Sequence, residues 1–256
     1  MGISSRLFGS RGDTSTLRRW AKRTVAAPSE DRTQLREQID SARMLQSQMH
    51  EFLRVAEDRV AVPKIGADAF REGRGTEWSW RADAWRWRSD TPGFAAVQNG
   101  DEIAPSLRLF HDCHISEITT RQIRNKRQED VAPFGIAIDV MNFDGSFMSV
   151  VLDLPPDSTL GLRKNHLIRL NTMVDVERPM EIYARLNIKH GPNTEQLVRG
   201  LSWAELDSFV EFDMALADLN EKRIEQMWLD IIFDNPKMNR IVLREFSLSR
   251  KPRSDF

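Results

Sequence analysis

The sequence predicts a mainly β fold, an antiparallel two-sheet β-sandwich of jelly-roll type, preceded by an N-terminal helical segment. Three observations carry that expectation. From about residue 75 onward, short segments alternate apolar and polar residues and are separated by Asn, Asp, Gly and Pro, the pattern of strands joined by turns. Each segment has one apolar face, which two sheets bury by packing against one another. No helical pattern of crossover length lies between the segments, which argues against a parallel α/β sheet.

The N-terminal part reads differently. Residues 1–28 form a basic, mobile arm with a short amphipathic helix, in which Leu17, Trp20, Ala21 and Val25 share a face among Arg and Lys residues. Such a helix suits docking on the protein's own body, or weak peripheral contact of residues 14–25 with an anionic membrane surface. Pro28-Ser29-Glu30-Asp31 starts a long helix over residues 29–62, with Ser29 as the expected cap. Leu35, Ala42, Met49 and Ala56 repeat every seven residues, beside Ile39, Leu53 and Val60. That coiled-coil-like stripe has two uses, a homo-oligomer through residues 29–60 or packing on the sandwich. Pro63 and the turn-rich stretch Gly66–Gly75 then end the helical part, so the sandwich domain is expected over residues 68–256 and separable from the helices.

Within the sandwich, four rows each read as the inner face of a strand: Phe134/Ile136/Ile138/Val140, Ile168/Leu170/Thr172/Val174, Ile182/Ala184/Leu186/Ile188 and Val210/Phe212/Met214/Leu216. Leu229, Ile231 and Phe233 make a fifth. In the last strand Ile241 and Leu243 are followed by Phe246 and Leu248, a slip of phase that predicts a β-bulge near Arg244. With Leu107–Phe110, Ile115–Ile123 and Phe147–Leu154 the expected total is about eight or nine strands.

Composition narrows the function. Residues 1–25 carry Arg6, Arg11, Arg18, Arg19, Lys22 and Arg23 against Asp13, whereas the whole chain stands at −1, so the body is acidic. A nucleic-acid-binding body is disfavoured, because phosphate recognition needs a basic surface. No apolar run is long enough to span a bilayer. Cys113 is the single cysteine, so no internal disulfide forms and a cytoplasmic setting is expected.

Two groups of residues are candidate ligand sites. Trp78, Trp80, Arg81, Trp85, Trp87 and Arg88 form one wall if the chain turns at Ala82-Asp83-Ala84, offering rings for stacking and guanidinium groups for hydroxyls or anions. Burial of these rings as ordinary core is the competing reading. Tyr183, Arg185, Asn187 and Lys189 point away from the core on one strand, with Arg169, Asn171, Glu211 and Asp213 on others, making a polar sheet face. His190 and Asn193 extend this set to a rim loop, Gly191–Glu195.

Catalytic readings are weaker. Glu211 and Asp213 alternate as the carboxylates of jelly-roll glycosidases do, but Ala215 stands where a third would be needed to protonate a leaving oxygen. His111-Asp112-Cys113-His114 has two imidazoles that diverge at strand spacing, with no second ligand pair. No metal site and no cofactor are expected.

Phe110-His-Asp-Cys113, Asn142-Phe-Asp-Gly-Ser-Phe147, Leu186–Gln196, Asp218–Arg223, Trp228–Asp234 and Met238–Leu243 resemble an uncharacterised family of alphaproteobacterial proteins over roughly residues 75–256. The strand pattern also loosely resembles galactose-binding-like sandwiches found beside polysaccharide enzymes. The resemblance implies no activity. The expected function is a non-catalytic binding or assembly module for a glycan or protein partner. The alternatives are a carbohydrate-active enzyme using Glu211, Asp213 and Asp153, or a structural subunit of a larger assembly.

Overall fold

The computed structural model describes residues 11–61, 75–89, 91, 93–203 and 208–253. Contacts divide the chain into two compact units, Met1–Ala56 and Glu57–Phe256. Residues 1–10 of the arm expected over residues 1–28, the Pro63 break and most of the Gly66–Gly75 stretch lie outside the described residues.

The first unit is helical. Helix α1 (Arg11–Ala26) leads through a 3-10 turn (Ala27–Ser29) into helix α2 (Arg32–Ala61). Asp31 sets the start of α2, because its carboxylate accepts the Thr33 N–H at 2.8 Å. That bond holds the Asp31 carboxyl below the ordinary carboxylate range. Ser29, the cap expected from sequence, donates instead to the Ala26 carbonyl at 3.0 Å. Trp20 of α1 lines a groove with Ala42, Leu45, Met49 and Leu53 of α2. Among the described residues up to Ala56 none is fully buried, so this unit is an amphipathic pair without a sealed core.

The second unit is the sandwich. Its strands are β1 (Trp78–Arg81), β2 (Gly93–Ala95), β3 (Asp101–Ala104), β4 (Leu107–His111), β5 (Ile118–Arg124), β6 (Phe134–Val140) and β7 (Met148–Asp153). They continue with β8 (His166–Val176), β9 (Ile182–His190), β10 (Asn193–Leu201), β11 (Ser208–Asp213), β12 (Ile224–Phe233) and β13 (Asn239–Pro252). A one-turn helix α3 (Asp83–Arg86) follows β1. One sheet runs β11-β8-β13-β6-β5-β2, with β1 joined to β13, and the other runs β10-β9-β12-β7-β4-β3. The inner rows expected on β6, β8, β9, β12 and β13 are all buried.

The described residues form 13 strands where about eight or nine were expected, and two further expectations change. Strand β11 ends at Asp213, and Met214–Leu216 form a 3-10 turn started by the Asp213 side chain, which accepts the Ala215 N–H. Leu216 is therefore exposed instead of completing the fourth row. The expected rim loop is only Gly191-Pro192, since Asn193 already pairs with His190 as β10 returns along β9. Gly191 takes φ of +61°, the left-handed conformation such a tight reversal requires. At this margin the two sheets meet, where Arg199 of β10 donates through Nε to the Glu211 carbonyl of β11 at 3.1 Å.

Strand β13 organises the first sheet. One edge pairs with β8 throughout, with a register shift between Leu243 and Glu245, the bulge that the phase slip predicts. The other edge pairs with β6 over Asn239–Leu243 and with β1 over Ser247–Arg250. Between those partners the bulge carbonyls are met by side chains. Trp85 of α3, fully buried, donates its indole N–H to the Leu243 carbonyl at 2.9 Å. Asn125 donates to the Arg244 carbonyl at 2.9 Å. Arg244 itself binds Asp175 at 2.6 Å and Asp130 at 3.4 Å. Gly135 of β6 lies so close that a Cβ there would sit 2.9 Å from the Leu243 carbonyl oxygen.

Trp85→Phe keeps most of the ring volume but orphans a buried carbonyl, so unfolding free energy falls by about 1–3 kcal/mol. Gly135→Ala, which collides with backbone, also lowers stability. Urea denaturation of both variants checks this: a midpoint equal to wild type in either would mean the bulge relaxes freely.

Candidate functional site

The outer face of the second sheet brings aromatic and charged side chains together. Cross-strand register explains the gathering. Asn187 of β9 lies opposite Trp228 of β12, which lies opposite Asp153 of β7. One row further along, Arg185, Asp230, Val151 and Arg108 stand in line across β9, β12, β7 and β4. Phe110 and Ser149 head the next row. A shallow groove of about 430 Å³ is lined by Arg108, Phe110, Phe147, Asp153, Arg185 and Trp228, among others.

The charges on this face are held. Arg108 Nη2 reaches Asp153 Oδ2 at 2.8 Å, both half-exposed. Arg185 Nε donates to Asp230 Oδ2 at 2.7 Å, and Asp230 is buried. Asn187 Nδ2 adds a bond to the same Asp230 oxygen at 3.1 Å, while its Oδ1 accepts from Gln196 at 3.0 Å. Asn187 thus acts as a brace beneath Arg185 and Asp230, with both ends committed. Trp228 and Phe110 are half-buried and Phe147 is exposed, so their rings are available to a ligand. Arg108 also lies over the Phe110 ring, 5.7 Å from its centroid.

The sequence named Tyr183, Arg185 and Asn187 of this face. It named Asp153 only as a catalytic carboxylate, and missed Trp228, Asp230, Arg108, Phe110 and Phe147 as partners. Their signal was present in the outward phase of β12, β7 and β4, opposite Leu229, Leu152 and Leu109. Tyr183 donates to Glu181, and that bond and charge raise its phenol above the usual range.

The tryptophan wall is not formed as one surface. Trp78 and Trp80 are half-buried and packed against the core, and Trp85 is inside it. Arg81 lies on the opposite side of β1, fully buried, with Nη2 at 2.8 Å from Glu245. The reason is the turn at Ala82–Arg86, which drives Trp85 inward and releases Trp87. Trp87 and Arg88 instead line a separate cleft of about 400 Å³ with Phe94 and Glu102. His190 and Asn193 line a third depression at the β9–β10 turn, with Lys164, Lys222 and Arg223. His190 is buried and its Nδ1 accepts the Asn220 N–H at 3.3 Å.

The carboxylates proposed for hydrolysis do not converge. Glu211 pairs with Lys251 at 2.9 Å and Asp213 with Arg253 at 3.1 Å on the first sheet, whereas Asp153 belongs to the second. Among the described residues no group of three or more His, Cys, Asp or Glu is arranged to hold a metal ion. Burial pushes the Cys113 thiol up, toward the unreactive protonated form.

Comparison with known proteins gives one family and several distant structural neighbours. A model of a family of unknown function, DUF6478, matches residues 2–256. No curated protein matches the chain. The fold loosely resembles carbohydrate-binding sandwich modules. A family 11 carbohydrate-binding module from Clostridium thermocellum, in complex with a β-1,3-1,4-mixed-linked tetrasaccharide, is 13% identical, with a TM-score of 0.40. The match covers 65% of this chain and all (100%) of that one. The CBM22-1 xylan-binding domain from Paenibacillus barcinonensis Xyn10C is 9% identical, with a TM-score of 0.36, covering 62% of this chain and 94% of that one. The enzymatically active domain of bacteriophage CBA120 tailspike protein 4 is 7% identical, with a TM-score of 0.41, covering 62% of this chain and 21% of that one.

One buried histidine at the head of β8 makes stability depend on pH. His166 accepts the Arg163 N–H at Nδ1 and lies 3.2 Å from Glu77 through Nε2. Burial, then the nearby Arg250 charge, hold its pKa below the ordinary 6.5. The unfolded chain then binds the proton more readily, so this stabilisation is complete above pH 6.5 and is lost as pH falls through the lowered value. His166→Asn, which keeps an acceptor for Arg163, should flatten the fall in melting temperature on acidification; an unchanged slope would place the acid sensitivity elsewhere.

Proposed function

The chain belongs to DUF6478, a family of unknown function, and within it we propose a non-catalytic binding module whose outer second-sheet face grips a polyhydroxylated ligand, a glycan. The observation that carries this reading is Trp228. Its half-buried ring lies in register between Asn187 and Asp153, with the Arg108–Asp153 and Arg185–Asp230 pairs around it. Sugar rings present C–H faces that stack on an indole, and hydroxyls that both donate and accept. Fixed guanidinium and carboxylate groups supply both complements without reordering on binding, which limits the entropic cost. Phe110 and Phe147 extend the apolar floor, so the groove suits more than one sugar unit.

In this reading Arg185 lines the groove, Tyr183 stands in the same row as Ser149 at its side, and Asn187 positions Arg185 through Asp230. Trp87 and Arg88, in their own cleft with Phe94 and Glu102, are a second candidate for a protein or glycan contact.

Glycan-array screening followed by titration calorimetry tests the proposal. Trp228→Ala should weaken binding by about 5- to 150-fold, taking the ~1–3 kcal/mol of base stacking on an aromatic ring as the scale for a stacked sugar, with a smaller effect on melting temperature than loss of a fully buried ring. Arg185→Ala should weaken binding and also lower stability by about 2 kcal/mol, less than for a fully buried pair because Arg185 is partly exposed. An array on which the wild-type protein binds nothing, or a Trp228→Ala variant of equal affinity, would remove the second-sheet face from consideration. Binding lost only in Trp87→Ala would move the site to the other cleft.

A further inference from the structure

Helix α1 carries an exposed apolar stripe. Leu17, Ala21 and Val25 recur every fourth residue and so stack along one side of the helix. All three are exposed, Leu17 at 50% and Val25 at 83%. Arg18 and Lys22 run immediately beside that stripe with the same spacing, and Arg19 lies beyond them. Thr14, Ser15, Arg18, Arg19 and Lys22 together line one continuous depression. Trp20, three residues after Leu17, stands on the flank of the same face and is occupied differently. Trp20 faces the groove with α2, and Arg23 lies over its ring at 4.6 Å from the centroid. The apolar stripe is therefore left outward, although α1 has an aromatic residue already used for packing.

We propose that α1 lies on an anionic lipid bilayer, with Leu17, Ala21 and Val25 at the acyl boundary and Arg18, Arg19 and Lys22 among the headgroups. Charge complementarity selects this occupant. Helix α1 holds five cationic residues and one acid, Asp13, on a chain whose overall charge is −1. Helix α1 therefore carries net positive charge on a chain that is otherwise net negative, and a negative surface attracts it. Nucleic acid would satisfy the cations but offers no counterpart to a stripe of Leu and Val. A bilayer satisfies both, since long basic side chains run their stems along the apolar boundary and keep their charged ends at the headgroups. No described helix is long and apolar enough to cross the membrane, which fits a helix lying in the interface plane.

The test is sedimentation of the full-length chain with vesicles of pure phosphatidylcholine and of phosphatidylcholine with a quarter phosphatidylglycerol. Binding is expected to the anionic vesicles only and to fall with added salt. Neutralising cations should cost about fivefold in partitioning for each one removed, so the Arg18→Gln, Lys22→Gln double variant should lose most of it. Leu17→Ser with Val25→Ser should weaken binding to the same vesicles with the charge intact. Circular dichroism of each variant confirms that the helices persist, as expected for exposed positions. Equal binding to neutral and anionic vesicles, no binding to either, or unchanged binding after neutralisation would overturn the proposal. Salt-sensitive retention on duplex DNA or on an acidic protein, without vesicle binding, would overturn it too and reassign the cations.

Discussion

The first sheet depends on how β13 passes from one partner to another at its bulge. An inner strand normally satisfies its carbonyls through two neighbours, but β13 has a gap on one side where β6 stops and β1 starts. A buried, unmet carbonyl would cost on the order of 1–3 kcal/mol, so each needs a substitute donor. Trp85 and Asn125 provide them. Much follows from that constraint. Ala82–Arg86 must turn to deliver the indole, Gly135 must lack a side chain, and Arg81 is drawn to Glu245 just past the bulge.

The second sheet confines its inner register shift to the start of β12, between Ile224 and Gln226, and the regular rows from Trp228 onward serve another end. Continuous pairing of β9, β12, β7 and β4 sets side chains in straight rows on the outer face. Arg–carboxylate pairs then form between neighbours in or next to the same row, and the rings of Trp228 and Phe110 lie between them. The irregular sheet stores the fold's polar exceptions, while the regular one presents a surface.

Much of this architecture was legible in the sequence because burial imposes a period of two. The rows on β6, β8, β9, β12 and β13 are unambiguous, and the slip from Leu243 to Phe246 marks the bulge directly. Strand β10 was not legible, since an edge strand such as Asn193–Leu201 buries only Leu197 and Leu201. The role of the tryptophans is half legible: Ala82-Asp83-Ala84 stands out as the place where a turn would redirect Trp85 and Trp87, but nothing local shows that the Trp85 indole is needed 158 residues further along the chain. The outer face was read strand by strand. What sequence could not give was the order β9-β12-β7-β4, and without it Arg108, Asp153, Trp228 and Arg185 are only four separate polar or aromatic positions.

The contact between β10 and β11 has a consequence for how these molecules meet one another. Where Arg199 reaches the Glu211 carbonyl, the outermost strands of the two sheets lean together at one margin of the sandwich. The opposite margin ends in β2 and β3, of 3 and 4 residues. A passing extended chain finds too few backbone groups there to dock, and such brevity is a common guard against runaway stacking of sheets. Association at that margin is thereby left to side-chain surfaces, whose partners are chosen by shape and charge instead of by the indiscriminate grammar of the backbone.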